Sequence, residues 1–378
     1  MDIQLVSFIL AILTTLYVAL VIYMRMGWGR LPAWKKPHGF NPRTPVSILV
    51  AARNEAHNIG TLIEALLAQE YPRELLEIII IDDHSTDGTS AVVRGYAAQG
   101  VQLLVLNESE PLNSYKKKAI SEGIARATGE LVVTTDADCR MGRQWLATIV
   151  AFYEQRELYM VSSPVVYSDE KNAFEEAQTL EFLYLIGLGA AGIGNRHPAT
   201  CNGANLAYRR DIFYEMGGFA GIDDLASGDD ELLLHKVAAH YADRVGFCKS
   251  TEAVVYTDAK PTLRELLSQR RRWASKSIKY KDKAIVVLGV SIWLFNAVLL
   301  ATGVLSLFYP GYAFVLATAL TSKFLVELFF LYPLVRFARR PALLAYLPVL
   351  TLVHVVYMVY IGLAGNWGKY EWKDRRVR

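Results

Sequence analysis

Residues 130–139 read ELVVTTDADC, an apolar run that ends in two aspartates one residue apart. The run has the length and composition of a buried β-strand, and Asp136 and Asp138 follow at its carboxyl end. Open α/β sheets bind ligands at that edge, and two carboxylates there can hold a hard divalent cation that would neutralise a substrate diphosphate. The alternative for an isolated Asp-x-Asp is a turn with two solvated acids.

Strand-like and helical segments alternate before this run. The predicted strands are VSILVAA at 46–52, LEIIIIDD at 76–83 and VQLLVLN at 101–107. This alternation predicts an α/β fold with a mostly parallel sheet and flanking helices. Right-handed crossovers would bring the carboxyl ends of these strands to one edge. We therefore expect Asp82 and Asp83 to lie beside Asp136 and Asp138.

Both ends of the chain are hydrophobic enough to enter a membrane. Residues 5–24 are an uncharged run of spanning length, and Arg25 and Arg30 follow it, as in an uncleaved anchor whose carboxyl side faces the cytoplasm. Three further apolar stretches of spanning length cover 285–308, 312–335 and 343–364. In the second, Lys323 and Glu327 are spaced to pair on one helix face, and a lipid or sugar contact is the alternative.

These segments predict a multi-pass protein of the cell (inner) membrane with a cytoplasmic domain. In order, they are an N-terminal transmembrane anchor 1–25, an interfacial linker 26–44, a cytoplasmic domain 45–260, an interfacial segment 261–283, C-terminal transmembrane helices 284–365 and a basic tail 366–378. Three crossings after a cytoplasmic domain would place the basic tail outside, against the positive-inside tendency. Either one stretch is re-entrant or lies flat, or the tail is an exception.

Composition and local context exclude several classes of protein. The net charge is only +3 and no basic groove interleaved with aromatics is visible, so we expect no nucleic-acid partner. The 3 cysteines are scattered and odd in number, which argues against a disulfide framework and a zinc site and fits a reducing compartment. GLGAAG at 187–192 has the letters of a dinucleotide-binding loop, but the preceding segment has helical character. We expect its small residues instead to let a helix and a loop pack closely near the membrane surface, beside the acceptor.

Three groups of polar residues are predicted at the same sheet edge as the aspartate pair. Arg53 and Glu55 lie in the loop after the first strand, where they can read a base or ribose. Asp82 and Asp83 end the second strand, and either can accept a hydrogen bond from a base. Lys116 opens a run of three lysines before the Asp-x-Asp strand and is a candidate phosphate counter-charge, or part of a solvated helix start.

Two further groups follow in the second half of the chain. Asp229 and Asp230 stand at a predicted helix start, either as an ionised general base or as an N-cap. Gln269, Arg272 and Trp273 form Q-x-x-R-W next to the membrane. There the arginine can bind a diphosphate and the indole can stack on a sugar, or both can belong to an interfacial belt.

The motifs occur in a specific order along the chain. They are VAARNEA, IIDDHSTDG, KKKAI with GIARATGE, TTDADC, CNGANLAYRR, SGDDELL and QRRRW. This order resembles membrane-embedded family 2 glycosyltransferases, the inverting group that contains ceramide glucosyltransferases and cellulose, chitin and hyaluronan synthases. The resemblance covers about 46–273. It implies a GT-A nucleotide-sugar-binding domain, a donor that is most often a UDP-sugar, and Mg²⁺ or Mn²⁺ as the cofactor.

The resemblance also implies a role for each matching residue. The nucleoside pocket would contain Ala51, Glu55 and Asp83. Lys116 would lie near it, Asp136 would contact the uridine diphosphate and Asp138 would ligate the metal. Asp230 matches the general base, although Asp229 precedes it where many relatives have a glutamate, so Asp229 stays a second candidate. The diphosphate and acceptor edge would be formed by Gln269, Arg272 and Trp273.

The predicted acceptor is a hydroxyl of a membrane lipid. About four apolar segments leave little material for a long polysaccharide channel. A processive polysaccharide synthase is the alternative within the same class. An inactive membrane scaffold that only binds a nucleotide-sugar is the alternative from another class.

Overall fold

The structure is a computed structural model that describes residues 3–108, 112, 114–225, 227–276, 280, 282–365, 370–372 and 375–377. The chain clusters into two compact units. The helical unit comprises 1–29, 170–191 and 259–368, and the sheet unit comprises 30–169, 192–258 and 369–378. Residues 170–191, which the sequence places inside the domain 45–260, therefore group with the helical unit.

The described elements alternate as the sequence predicts. The helices are α1 Ile3–Arg30, α2 Ile59–Leu67, α3 Thr89–Arg94, α4 Tyr115–Arg126, α5 Trp145–Arg156, α6 Ala173–Gly194, α7 Arg210–Glu215, α8 Glu231–Tyr241, α9 Leu263–Ser275, α10 Lys283–Ser306, α11 Gly311–Phe337 and α12 Leu347–Ala364. The strands are β1 Val46–Ala52, β2 Leu76–Asp82, β3 Val101–Val105, β4 Leu131–Asp136, β5 Arg140–Met141, β6 Met160–Ser162, β7 Val165–Ser168, β8 Leu206–Arg209, β9 Val245–Phe247, β10 Val255–Asp258, β11 Tyr370–Trp372 and β12 Arg375–Val377.

Seven strands of the sheet unit form one sheet in the order β3-β2-β1-β4-β8-β6-β9. β1 pairs in parallel with β2 and β4, β2 with β3, and β6 with β9. β8 runs antiparallel to both β4 and β6. Four isoleucines at 78–81 in β2 are 3% exposed or less, as expected for a parallel strand that is covered on both faces. The predicted mostly parallel sheet is confirmed.

Gly129 allows β4 to begin close to β1. A Cβ added at Gly129 would lie 2.5 Å from the backbone nitrogen of Ser47 and 2.7 Å from the carbonyl carbon of Val46. The amide of Gly129 donates to Ser47 Oγ at 2.9 Å. A side chain at this position would therefore push apart the two strands that carry the predicted donor site.

Five helices of the described residues are long and apolar enough to cross a membrane. They are Ile3–Arg30, Ala173–Gly194, Lys283–Ser306, Gly311–Phe337 and Pro341–Ala364. Four of them coincide with the predicted spans. The fifth, α6, is 61% buried within the protein over its most apolar window, against 17–33% for the other four.

The sheet topology prevents α6 from acting as a single membrane crossing. The chain enters α6 after β7 and leaves it before β8, and β8 is hydrogen-bonded to β4 and β6, which precede α6. Strands of one sheet lie on one side of a membrane, so the helix between them crosses an even number of times or not at all. The predicted count of four apolar spans is therefore compatible with five apolar helices.

Close packing explains the glycines of α6. A Cβ added at Gly187 would lie 2.0 Å from Leu334 Cδ2 of α11. GLGAAG thus lies within a helix that packs against another helix, and the prediction that it is not a dinucleotide-binding loop is confirmed.

A buried polar cluster lies inside the helical unit. Lys323 Nζ and Glu327 Oε1 are 2.6 Å apart, which confirms the predicted i,i+4 pair. Tyr17 donates from its hydroxyl to the same oxygen at 2.5 Å and stacks on Phe295 with ring centroids 4.7 Å apart. These contacts join α1, α10 and α11 through groups that would be costly to bury alone.

Candidate active site

Three parallel strands end together at the edge where the site residues were predicted. The pairing places Ala51 beside Asp136 and Ala52 beside Asp82. The amide of Asp83 donates to Ala52 O at 2.8 Å. The carboxyl ends of β2 and β4 thus present their acids at the same edge of the sheet, on either side of the end of β1.

The loops after β1 and β2 interlock. Arg53 Nη1 donates to the carbonyl oxygens of Asp83 at 3.0 Å and His84 at 2.9 Å. The amide of Glu55 donates to Thr89 Oγ1 at 2.9 Å. Arg53 therefore stabilises the conformation of the predicted nucleoside loop by hydrogen-bonding to the backbone of Asp83 and His84.

The two neighbouring aspartates of this loop have different surroundings. Asp82 accepts from the amide of Ser85 at 2.9 Å through one oxygen and from the hydroxyl of Ser90 through the other, so its carboxylate fixes the loop. Asp83 is 3% exposed, and its Oδ1 lies 2.9 Å from His84 Nδ1. Sequence reasoning did not single out His84, whose backbone has φ +58°, in the left-handed region that favours glycine.

Lys116 connects two of the predicted acids. Its Nζ lies 2.7 Å from Asp136 Oδ1 and 3.4 Å from Asp229 Oδ2. Burial lowers the pKa of Lys116, but the two carboxylates outweigh it, so the net pKa is raised above its ordinary value. A permanent cation therefore lies between the Asp-x-Asp strand and the loop before α8.

Asp136 and Asp138 fit a metal ion only as part of a shared site. In the described part of the chain, no group of three or more His, Cys, Asp or Glu side chains is arranged to hold a metal ion. Mg²⁺ and similar ions are often bound by one or two carboxylates together with substrate phosphates. The donor set at this edge therefore fits a cation whose remaining ligands come from a diphosphate.

Asp230 is held at the start of α8. Its Oδ1 accepts from the amide of Glu231 at 2.6 Å, and its Oδ2 accepts from the amide of Gly203 at 2.9 Å. A Cβ at Gly203 would lie 3.3 Å from Asp229 Oδ2, so a larger residue there would crowd the acidic pair. The N-cap contact that the sequence offered as an alternative is present, and it fixes the direction of the carboxylate.

The Q-x-x-R-W residues lie on α9 in the helical unit. Arg270, between Gln269 and Arg272, pairs with Glu181 of α6 at 2.8 Å. The guanidinium of Arg270 also lies 4.3 Å from the ring centroid of Trp273. These contacts fix the motif within its own unit, while the other predicted site residues lie in the sheet unit.

A cavity elsewhere in the sheet unit is less suited to this chemistry. It has a volume of about 460 Å³ and is lined by Glu130 and Arg209, which lie at the amino end of β4. Asp136 is at the opposite end of this strand. Arg209 is paired with Asp211, and Arg244, also in the lining, with Glu157, so two of the cavity's basic groups are already neutralised.

Comparison with known protein families identifies part of the chain that contains most of the predicted site. Residues 47–217 match the family Glycosyl transferase family 2. The chain carries a glycosyl transferase family 2 domain. This domain includes the predicted residues from Ala51 to Asp138, and the match confirms the resemblance stated above.

Curated relatives of the family 2 domain match over limited lengths. Glycosyltransferase AglE of Haloferax volcanii is 28% identical over 49% of this chain and 58% of its own length. Beta-monoglucosyldiacylglycerol synthase of Synechocystis sp. is 32% identical over 30% of this chain and 23% of its own length. The chain thus spans little more than half, or less, of these relatives.

A solved structure matches over nearly the whole chain. Mannosyltransferase PcManGT from Pyrobaculum calidifontis, in complex with GDP-Man and Mn²⁺, covers 94% of this chain and 99% of its own, with a TM-score of 0.56 and 23% identity. This similarity concerns the fold, and it confirms the predicted GT-A architecture.

Proposed function

We propose that this protein is an inverting glycosyltransferase that moves a sugar from a nucleotide-sugar to a hydroxyl of a membrane lipid. The proposed donor is a UDP-sugar. The observation that carries the proposal is the placement of Asp136 and Asp229 on one lysine, at 2.7 and 3.4 Å from its Nζ. It brings the acids proposed for donor binding next to the loop proposed for base catalysis.

The proposed donor site uses the ends of β1, β2 and β4. Asp83 accepts from the nucleobase, while Ala51 and Glu55 line the nucleoside pocket and Arg53 and Asp82 shape its loops. Asp83 is suited to this role because its carboxylate is buried and directed by His84. A buried acceptor rejects ligands that lack the matching donor, because the unpaired group would be costly.

The leaving diphosphate is stabilised by cations. A metal ion bound by Asp138 and Asp136 would neutralise the diphosphate when present. Lys116 can turn its ammonium from Asp136 toward a phosphate oxygen, and Arg272 can provide a bidentate contact. PcManGT was solved with Mn²⁺, which supports a divalent cation for the present protein.

Asp230 is the proposed general base, and Asp229 is the second candidate. The helix start and the backbone donors of Glu231 and Gly203 keep the Asp230 carboxylate ionised and oriented. An ionised carboxylate can take the proton from an attacking hydroxyl. Attack opposite the leaving diphosphate inverts the anomeric configuration.

A lipid acceptor is supported by the apolar helices and by the names of relatives, which include Beta-monoglucosyldiacylglycerol synthase and Glucosyl-dolichyl phosphate glucuronosyltransferase. We propose that the sheet unit lies in the cytoplasm, because Arg25 and Arg30 follow the apolar part of α1. Protease protection of the sheet unit in sealed right-side-out vesicles is expected, and cleavage there would contradict this orientation.

Radiolabelled nucleotide-sugars incubated with membranes that contain the protein would test the activity. We expect label in the organic phase, and at least about 10²-fold lower rates for Asp138→Ala and Asp230→Asn. Asp243→Asn, whose side chain is exposed on the sheet unit, is the matched control and should keep the parent rate. Label that accumulates as an aqueous polymer would support a polysaccharide synthase instead. Absence of transfer from every donor would refute the proposed function.

A further inference from the structure

Lys117 differs from both of its lysine neighbours. Its side chain is 1% exposed, and its Nζ donates to Leu225 O and Ser227 O, both at 2.7 Å. Lys116 points to the acids of the site, and Lys118 pairs with Glu122 at 2.6 Å near the surface. Successive helix residues face different directions, so one turn of α4 sends three ammonium groups to three environments.

Burial of Lys117 costs stability. Among the described residues, its hydrogen-bond acceptors are neutral backbone carbonyls, so the ammonium loses its hydration without gaining a carboxylate at hydrogen-bonding distance. Burial lowers the pKa of Lys117 to about 8, although the more distant Asp229 and Asp230 raise it. A buried ammonium with this penalty is expected where its hydrogen bonds hold a backbone segment in a position that apolar packing alone would not determine.

The segment that Lys117 contacts leads directly to the acidic pair. Leu225 and Ser227 precede Asp229 by four and two residues. Beyond them, Asp229 approaches Lys116 and Asp230 caps α8. The first turn of α4 therefore contacts this segment twice, once through a side-chain carboxylate and once through backbone oxygens.

We propose that Lys117 is a positioning residue that holds Leu225 and Ser227 against α4, so that Asp229 and Asp230 stay at a fixed distance from Asp136. This inference rests on the proposed function for its effect on rate. Lys117 donates to backbone oxygens that precede the acids, so its proposed effect is on the placement of the acids. A displacement of about 1 Å in a reacting group can lower a rate about 10²-fold.

Kinetics of Lys117→Met, Lys117→Arg and the control Lys118→Met would test the proposal. We expect kcat of Lys117→Met to fall about 10²-fold while the donor KM stays within about threefold, because the donor-binding strands are not altered. Lys117→Arg retains a cationic donor and should recover at least about a tenth of the parent kcat. Lys118→Met should resemble the parent.

Hydrogen–deuterium exchange of peptides that cover 223–231 gives a readout that does not depend on activity. Faster exchange there in Lys117→Met, with Lys118→Met unchanged, would support the proposal. Parent-like exchange and kcat in Lys117→Met would overturn it, and so would global unfolding of both Lys117 variants, which would assign Lys117 to folding alone. A parent protein without transferase activity would refute the proposed function, while the exchange result would still decide the position of the segment.

Discussion

Gly129→Ala is expected to destabilise the sheet unit by an amount that follows from its surroundings. The new Cβ would lie 2.5 Å from the backbone nitrogen of Ser47, and relief to an ordinary 3.4 Å contact needs 0.9 Å of movement (3.4 − 2.5). Ser47 is paired with β2 on one side and β4 on the other, so its backbone cannot rotate away. Overpacking of this kind costs about 1–3 kcal/mol. The stiffer unfolded chain offsets about 0.4–1 kcal/mol, leaving a net loss of about 1–2 kcal/mol.

Gly142→Ala is the matched control, because a Cβ added there meets nothing within 4 Å and its backbone is not in the left-handed region. Thermal unfolding of the detergent-solubilised protein, followed by tryptophan fluorescence, would compare the two variants. At about 2–4 °C per kcal/mol for a domain of this size, Gly129→Ala should lower Tm by about 2–8 °C. Gly142→Ala should leave Tm unchanged or slightly raised. Equal Tm values for the two variants would refute the close-approach explanation.

Three other predictions concern the site. Lys116→Met should lower kcat/KM at least about 10²-fold, because Asp136 and Asp229 lose their shared cation, and a parent-like value in a donor titration would contradict this. After EDTA treatment, calorimetry should show Mn²⁺ binding at least about tenfold tighter with a nucleoside diphosphate present than without it, whereas equal affinities would indicate a complete protein site. Lys117 has a pKa of about 8 when folded, below the unfolded value of about 10.4, so the unfolded chain binds more protons between these values and stability rises with pH there. Between about pH 7.5 and about pH 9.5, the change in Tm should therefore be more positive in the parent than in Lys117→Met. Identical changes in the two proteins would show that Lys117 does not titrate in this range.

The sequence predicted the fold correctly where a local pattern is compatible with a single type of structure. The isoleucine run of β2 and the Asp-x-Asp after β4 predicted buried parallel strands with acids at one edge, and the register of Ala51 with Asp136 agrees. The roles of adjacent identical residues could not be separated in this way. Asp82 and Asp83 have the same chemistry in the sequence, and only the positions of Ser85 and Ser90 direct Asp82 into its own loop.

Grouping of distant segments was also beyond the sequence. The helical character of the segment before GLGAAG was predicted, but its place among the membrane-type helices depends on contacts such as that of Gly187 with Leu334. Lys117 was one of three similar lysines in the sequence. Its burial depends on the position of Leu225 and Ser227, whose backbone oxygens it contacts. Long-range packing, rather than local preference, decides each of these features.

The passage of the chain through α6 has a practical consequence for protein production. A fragment that begins after the anchor and stops before α10 would still carry the 22-residue apolar helix α6, without the α11 surface that covers Gly187. Such a fragment would expose the apolar surface of α6 to water and is expected to aggregate. We therefore expect that trimming the termini will not yield a water-soluble protein, and that biochemical work on this protein will need detergent or nanodiscs with all the helices retained.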